Sequence, residues 1–181
     1  MASRKTLNAK NLETLGASHL AELLMEISKG NAAAKRRLRM ELASNLSPDE
    51  LAREVRKRLN TIARSESFID WHKVKETAAD LENQRKAIAE KIGPSDPKEA
   101  ASLLWQFLGL ANGLYERCDD SNGVIIDIFH ESCENLGVIA QKTELSTDFL
   151  AEKIFEALKE NGYGQYDYLI HNLAPALGDA G

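Results

Sequence analysis

The sequence contains little cysteine, proline and aromatic residue, and each scarcity excludes a class of protein. Two cysteines and four prolines occur in 181 residues, and aromatic residues make up 6%. Two cysteines are too few for a disulfide scaffold and are typical of a reducing compartment. The longest uncharged run, residues 100–115, is too short and too polar for a membrane span. No apolar run follows the first charges, so a secretory signal is not indicated. We therefore expect a cytoplasmic, soluble protein.

Sequence motifs of known catalytic sites are also lacking. There is no glycine-rich phosphate loop, no G-x-S-x-G and no H-E-x-x-H. The four histidines are scattered, and paired acids such as Asp119–Asp120 are common in turns, where aspartate bonds its own backbone. The sequence thus offers no catalytic residue and no cofactor, and it favours a non-enzymatic role.

Helical periodicity is what the sequence has in abundance. Apolar residues recur at spacings of three and four, with no convincing strand pattern. The segment Ser47–Glu50, "SPDE", is a helix start with a capping serine and a proline at the first position. Further helices are predicted to begin near residues 20, 31, 70, 97, 123, 147 and 166. Their apolar rows include Leu42, Trp71, Phe149 and Phe155, which we expect to face inward.

Short loops between helices indicate that successive helices pack as antiparallel neighbours. We therefore predict an all-α fold of eight or nine helices, packed as stacked helical hairpins in one domain over residues 1–181. No fixed repeat period identifies a solenoid family, although a solenoid-like curvature is compatible with the pattern.

Basic and acidic residues are unevenly distributed along the chain. The net charge is −5, but through Lys75 there are 15 basic and 9 acidic residues, and afterwards 8 basic and 19 acidic. This predicts a basic N-terminal lobe of about residues 1–66 and an acidic C-terminal lobe of about residues 67–181. Lobes of opposite charge can attract a charged partner, or they can bind each other. Two ordinary solvated faces are the alternative.

The hairpin "ERCDDSNGVIIDIFHESCENLG" invites a metal or disulfide interpretation. Aligned as a calcium loop with Gly123 at position six, it has Cys118 at position one and Phe129 at position twelve, so both anchoring carboxylates are missing. Cys133 lies about nine residues up the returning helix, roughly 13 Å from the turn, and His130 about 9 Å. These separations exceed the reach of one zinc ion or one disulfide. No metal site is predicted, and buried thiols are the simpler interpretation.

Basic residues cluster on two predicted helices. Those that share a helix side and can contact phosphates are Lys35, Arg36, Arg39, Arg53 and Lys57. No aromatic platform for base stacking is interleaved, and nearby glutamates offer local pairing. Nucleic-acid binding is therefore one hypothesis, beside a solvated face and an acidic protein partner.

The segment "GYGQYDYLI", residues 162–170, is rich in glycine and tyrosine. A glycine helix stop followed by tyrosines that cover the edge of the core would explain it. An aromatic, hydrogen-bonding rim for a ligand or peptide is the functional alternative.

Several phrases together carry a resemblance to a known family. "TLNAKNLETLGASHLAELLMEIS", "FIDWHKVKETAADLENQRKAI", "LYERCDDSNG" and "ENGYGQYDYLI" resemble the N-terminal part of a bacterial all-helical domain family of unknown function. The resemblance covers nearly the whole chain and implies no activity. It implies longer family members, of which this chain would be a fragment. It also marks two signature segments, whose residues we take as candidates for ligand or partner binding: Arg117, Asp119, Asp120, Tyr163, Gln165, Tyr166 and Asp167.

These observations lead to three hypotheses. The first is a helical scaffold or protein-interaction module, with homo-oligomerisation left open. The second is a small-ligand or enzymatic pocket formed where the helix ends Arg117–Asp120 and Tyr163–Asp167 meet. The third is nucleic-acid binding by the basic N-terminal helices.

Overall fold

The helices begin at the capping residues that the sequence offers. Ser47, Asp96 and Ser146 each accept a hydrogen bond from the backbone N–H three residues further on, at 3.1, 2.9 and 3.3 Å. Pro48 and Pro97 occupy first helical positions, where no backbone N–H is needed. Local capping chemistry thus sets three of the helix starts.

The computed structural model describes residues 5–178, and every regular element in that range is helical. This confirms the predicted all-α fold class. A single parallel bridge joins Ile69 to Cys118 within that range. The elements are α1 (Ala9–Glu13), α2 (Ala17–Ile27), α3 (Ala32–Leu46), α4 (Pro48–Ala63), α5 (Trp71–Lys86), a π segment (Ala87–Ile92), α6 (Pro97–Leu108), α7 (Ala111–Tyr115), α8 (Val124–Ala140), α9 (Thr147–Lys159) and α10 (Leu169–Leu177). None of the helices described is long and apolar enough to cross a membrane.

The chain divides into two compact units, Met1–Arg39 and Met40–Gly181. In the first, α1 and α2 contact each other. In the second, α8 lies against α5, α6 and α10, while α4 packs on α6 and on the π segment. Helices distant in sequence therefore build the core of the second unit, where the rings of Phe107 and Phe129 lie 5.3 Å apart. The antiparallel order of successive helices and the lobe boundary near residue 66 stay predictions.

Two predicted helices differ from those observed. The helix predicted to begin near residue 70 changes after Lys86 into the π segment, which ends where Gly93 N–H donates to the Ile88 carbonyl at 2.8 Å. The wider turn accompanies complete burial of Ile88 and Ile92. The helix predicted to begin near residue 97 breaks at Gly109, and a separate helix, α7, follows α6.

Four side chains expected to face inward are exposed instead. Leu42 and Trp71 are each 67% exposed, Phe155 is 61% and Phe149 is 42% exposed. Trp71 opens α5, and its ring contacts that of His72 at a tilt of 33°, while each phenylalanine of α9 lies beneath a lysine ammonium. These helices bury one narrow side only, so an apolar residue one position off that side contacts solvent.

Candidate functional site

Arg117 holds three pieces of backbone together. Its guanidinium donates to the Ser67 carbonyl at 3.1 Å and to the Ile62 carbonyl at 3.2 Å. Its own carbonyl accepts from Ile69 N–H at 2.7 Å. Ile62 lies in the last turn of α4, where a cation complements the helix dipole. The guanidinium is thus committed to the end of α4 and the loop that follows.

The two aspartates after Arg117 cap backbone N–H groups. The Asp120 carboxylate accepts from Ile125 N–H and Ile126 N–H, each at 3.0 Å, at the start of α8. Its carbonyl accepts from Gly123 N–H at 2.8 Å, which closes a turn whose glycine has φ +68°. Asp119 accepts from Ser121 N–H at 3.1 Å. Asp120 therefore caps the N-terminus of α8. Gly123, at the N-cap position, cannot do so because it has no side chain.

We expect Asp120→Ala to lower the free energy of unfolding by about 1–2 kcal/mol, because it leaves two helix N–H groups without an acceptor. Urea denaturation followed by circular dichroism measures this loss. Asp119→Ala is the matched control, since the exposed Asp119 accepts one N–H in a turn, and about 0.5 kcal/mol or less is expected. Equal losses in the two variants would contradict the capping role of Asp120.

The segment 162–168 is fastened by internal hydrogen bonds. Gln165 is fully buried, and its amide donates to Asn112 Oδ1 at 2.9 Å and to the Glu160 carbonyl at 2.8 Å. Its side-chain oxygen accepts from Tyr163 N–H at 3.0 Å. The Tyr166 hydroxyl donates to the Leu108 carbonyl at 2.8 Å. Both side chains thus join this loop to the core.

Tyr163 provides the place where the two signature segments approach each other. It is 49% exposed, and its ring stacks on that of Tyr115 with centroids 4.9 Å apart. Tyr115 precedes Arg117 by two residues. Within residues 5–178, no hydrogen bond joins Arg117, Asp119 or Asp120 to residues 163–167. The exposed Asp167 accepts from the Asn161 side-chain amide at 2.8 Å. The segments therefore meet through an aromatic pair.

The thiols and the histidine of the hairpin have separate surroundings. Burial raises the pKa of Cys133 to about 12, and its Sγ lies 3.8 Å from the Gln165 carbonyl oxygen. Burial, followed by the charge of Asp120, raises the pKa of Cys118. His130 Nε2 lies 2.9 Å from the Gly164 carbonyl oxygen. Both thiols are protonated at neutral pH, a state that disfavours nucleophilic chemistry.

The part of the chain that the structure describes holds no group of three or more His, Cys, Asp or Glu side chains placed to bind a metal ion. The Tyr115 hydroxyl is buried and has no hydrogen-bond partner there. Burial and then the charge of Asp120 raise its pKa, so the phenol keeps its proton.

The basic candidates lie on α3 and α4. Lys35, Arg36 and Arg39 belong to the first unit. Arg53 and Lys57 lie on α4 in the second unit, along a shallow open groove. The residues that line this groove, named here the α4 basic face, are Arg53, Arg56, Lys57, Asn60, Thr61, Arg64 and Ser65.

Two of the four cations of the α4 basic face are paired. Arg53 bonds Glu50 at 2.6 Å and Arg56 bonds Glu99 at 2.8 Å. Lys57 and Arg64 are exposed and form no ion pair with any described residue. Half of the positive charge on this face is therefore uncompensated.

Comparison with protein families matches residues 2–181 to DUF6880, a family of unknown function. The chain belongs to the DUF6880 family. Searches of curated proteins and of solved structures gave no match. Family membership confirms the expected resemblance to a domain family of unknown function, and it brings no reaction or partner.

Five members of the α4 basic face in this DUF6880 chain were not among the candidates from sequence: Arg56, Asn60, Thr61, Arg64 and Ser65. The signal that finds them is helical spacing, since residues 53, 56, 57, 60, 61 and 64 share one side of a helix. Arg58, beside them in sequence, points elsewhere and pairs with Asp80 through two hydrogen bonds of 2.8 and 2.5 Å. A count of positive charges does not distinguish the side of α4 that lines the groove from the side that carries Arg58.

Proposed function

We propose that this protein is a helical protein-interaction module that binds its partner on the α4 basic face. The observation that carries the proposal is the open groove along α4, which four cationic side chains and three neutral polar ones line. Charge-lined grooves raise the local concentration of an oppositely charged partner and speed its association. A cytoplasmic location belongs to the proposal, because Cys118 and Cys133 are free thiols.

The surface around Arg117 and Gln165 supports this role less well. A binding site needs polar groups that are available to a ligand. The Arg117 guanidinium, the Asp120 carboxylate and the Gln165 amide are each occupied by hydrogen bonds within the protein. Lys57 and Arg64, by contrast, are exposed and have no ion-pair partner among the described residues.

The test is affinity capture from cell extract with three forms of the protein. We expect the wild type to retain specific proteins that Lys57→Glu/Arg64→Glu fails to retain, because the variant reverses the two unpaired charges of the face. Lys75→Glu/Lys142→Glu is the matched control, which reverses two exposed lysines outside the groove. It should retain the same proteins as the wild type. If all three forms retain the same proteins, the α4 basic face is not the binding surface.

A further inference from the structure

We infer that the occupant of the α4 basic face is an acidic polypeptide segment of a partner protein. This inference rests on the proposed function and specifies the chemistry of its partner. It follows from the charges, their spacing and the groups that already bind them.

The face offers a charged row of defined length. Arg53 and Arg64 are eleven residues apart on α4 and its C-terminal end, which corresponds to about 16 Å along the helix axis. Lys57 and Arg64 are seven residues apart, about 10 Å, and lie on the same side after two turns. No carboxylate of the described residues lines the groove between them. A segment with two or more carboxylates at matching separation would neutralise both free cations.

The arginines of this face already bind carboxylates. Arg53 holds Glu50 and Arg56 holds Glu99 with short nitrogen–oxygen distances of 2.6 and 2.8 Å. Arginine forms charge-assisted bonds to carboxylates that neutral donors do not match. Carboxylates of an incoming segment would extend this row onto Lys57 and Arg64. Beside these cations, Asn60 and Thr61 offer neutral polar contacts.

The same surroundings disfavour a nucleic acid. Lys57 and Arg64 are the cations of this face left to bind phosphate, so few phosphates would be neutralised. The seven residues that line the groove include no aromatic side chain that could stack on a base. A polypeptide segment needs only a few carboxylates, with other residues between them.

Phe68 is an exposed apolar residue that follows the face along the chain. It follows Ser65 by three residues and is 69% exposed. The Arg117 guanidinium holds the adjacent Ser67 carbonyl at 3.1 Å, which positions this loop.

Fluorescence anisotropy with defined probes tests the inference. The probes are a short fluorescein-labelled oligoglutamate, an oligoglutamine of equal length and a single-stranded oligothymidylate. We expect oligoglutamate to bind at low salt and oligoglutamine not to bind. Lys57→Glu/Arg64→Glu should weaken oligoglutamate binding about tenfold or more, because two attractions become repulsions. The Lys75→Glu/Lys142→Glu control should bind oligoglutamate like the wild type.

Three outcomes would overturn the inference. Tighter binding of oligothymidylate than of oligoglutamate, lost in Lys57→Glu/Arg64→Glu, would make the face a nucleic-acid surface. Equal weakening by the control variant would mean that net charge alone attracts the peptide. Absence of oligoglutamate binding would also overturn the inference. If Lys57→Glu/Arg64→Glu still abolished capture of proteins from extract, the proposed function would then stand, with a partner of different chemistry. Circular dichroism of each variant verifies the fold, and Lys57→Gln/Arg64→Gln should show an intermediate loss.

Discussion

Gly137→Ala is expected to lower the free energy of unfolding by about 2–3 kcal/mol, although alanine favours helices over glycine by about 1 kcal/mol. Gly137 is buried in α8, where α8 lies against α10. A Cβ at this position would overlap the backbone carbonyl group of Asn172. Backbone atoms cannot rotate away as a side chain can, so α8 and α10 would have to separate.

Urea denaturation followed by circular dichroism measures this effect. Gly113→Ala is the matched control, because a Cβ added to Gly113 in α7 would have no described heavy atom within 4 Å, and Gly113 does not have a left-handed backbone. The control should gain about 0.5–1 kcal/mol. If Gly137→Ala were as stable as the wild type, the close approach of α8 and α10 would be wrong.

The sequence predicted the features that depend on neighbours along the chain. The row Leu51, Val55, Leu59 and Ile62 is buried as its spacing indicates, and the capping serine Ser47 starts α4. The all-α class follows from many such local signals, each of which gives the same answer. Capping and periodicity act within one or two turns, so one sequence is enough to find them.

Features that depend on distant residues could not be predicted in the same way. Arg85 interrupts an apolar row and looks like an exposed residue in the sequence, yet it is 7% exposed. Its partners Glu131 and Asn135 lie about fifty residues away on α8. Gln165 likewise donates a hydrogen bond to Asn112, although α8 lies between these two residues in the sequence. Since hydrogen-bond partners in the fold carry no fixed sequence spacing, polar residues of this kind look like surface residues until helices are assembled.

The candidate site also combines features that are visible in the sequence with features that only the structure shows. Arg53 and Lys57 of the α4 basic face were recognised from their charge and spacing, whereas the pairing of Arg58 with Asp80 became visible only in the structure. The signature residues Arg117 and Asp120 were candidates because the resemblance to a family marks the segment that contains them. In the structure they cap α4 and α8. An unusual polar turn can therefore reflect the needs of helix ends as readily as those of a ligand.

Arg85→Met should lower the free energy of unfolding by about 3 kcal/mol. The Arg85 side chain bonds Glu82 through two nitrogens at 2.8 and 2.6 Å, Asn135 at 2.7 Å and Glu131 at 2.7 Å. It thereby joins α5 to α8. Methionine retains most of the apolar stem but removes the main partner of the partly buried Glu82, which keeps its ion pair with Lys86 at 3.0 Å. The loss of several charge-assisted bonds to Arg85 is the costly result. Urea denaturation measures the loss.

A second variant separates charge from packing. Arg85→Met combined with Glu82→Gln and Glu131→Gln removes the two carboxylates together with the guanidinium, so neither carboxylate is left without Arg85. We expect it to recover at least half of the stability lost in Arg85→Met, because replacing a whole buried ion-pair group is far less costly than breaking one. If the triple variant were as unstable as Arg85→Met, lost packing would explain the effect.

The same cluster should make stability depend on pH. Burial alone would raise the pKa of Glu82, but hydrogen bonds from Arg85 and Lys86 outweigh burial and hold that pKa below its ordinary value of 4.5. A lowered pKa in the folded state contributes stability that is fully present above 4.5 and is lost as pH falls through the folded pKa. We therefore expect the wild type to exceed Glu82→Gln in free energy of unfolding at neutral pH, with the difference shrinking below pH 4.5. Urea titrations of both proteins across this range measure it, and a difference that stays constant or grows on acidification would show that the Glu82 carboxylate is not stabilised by Arg85.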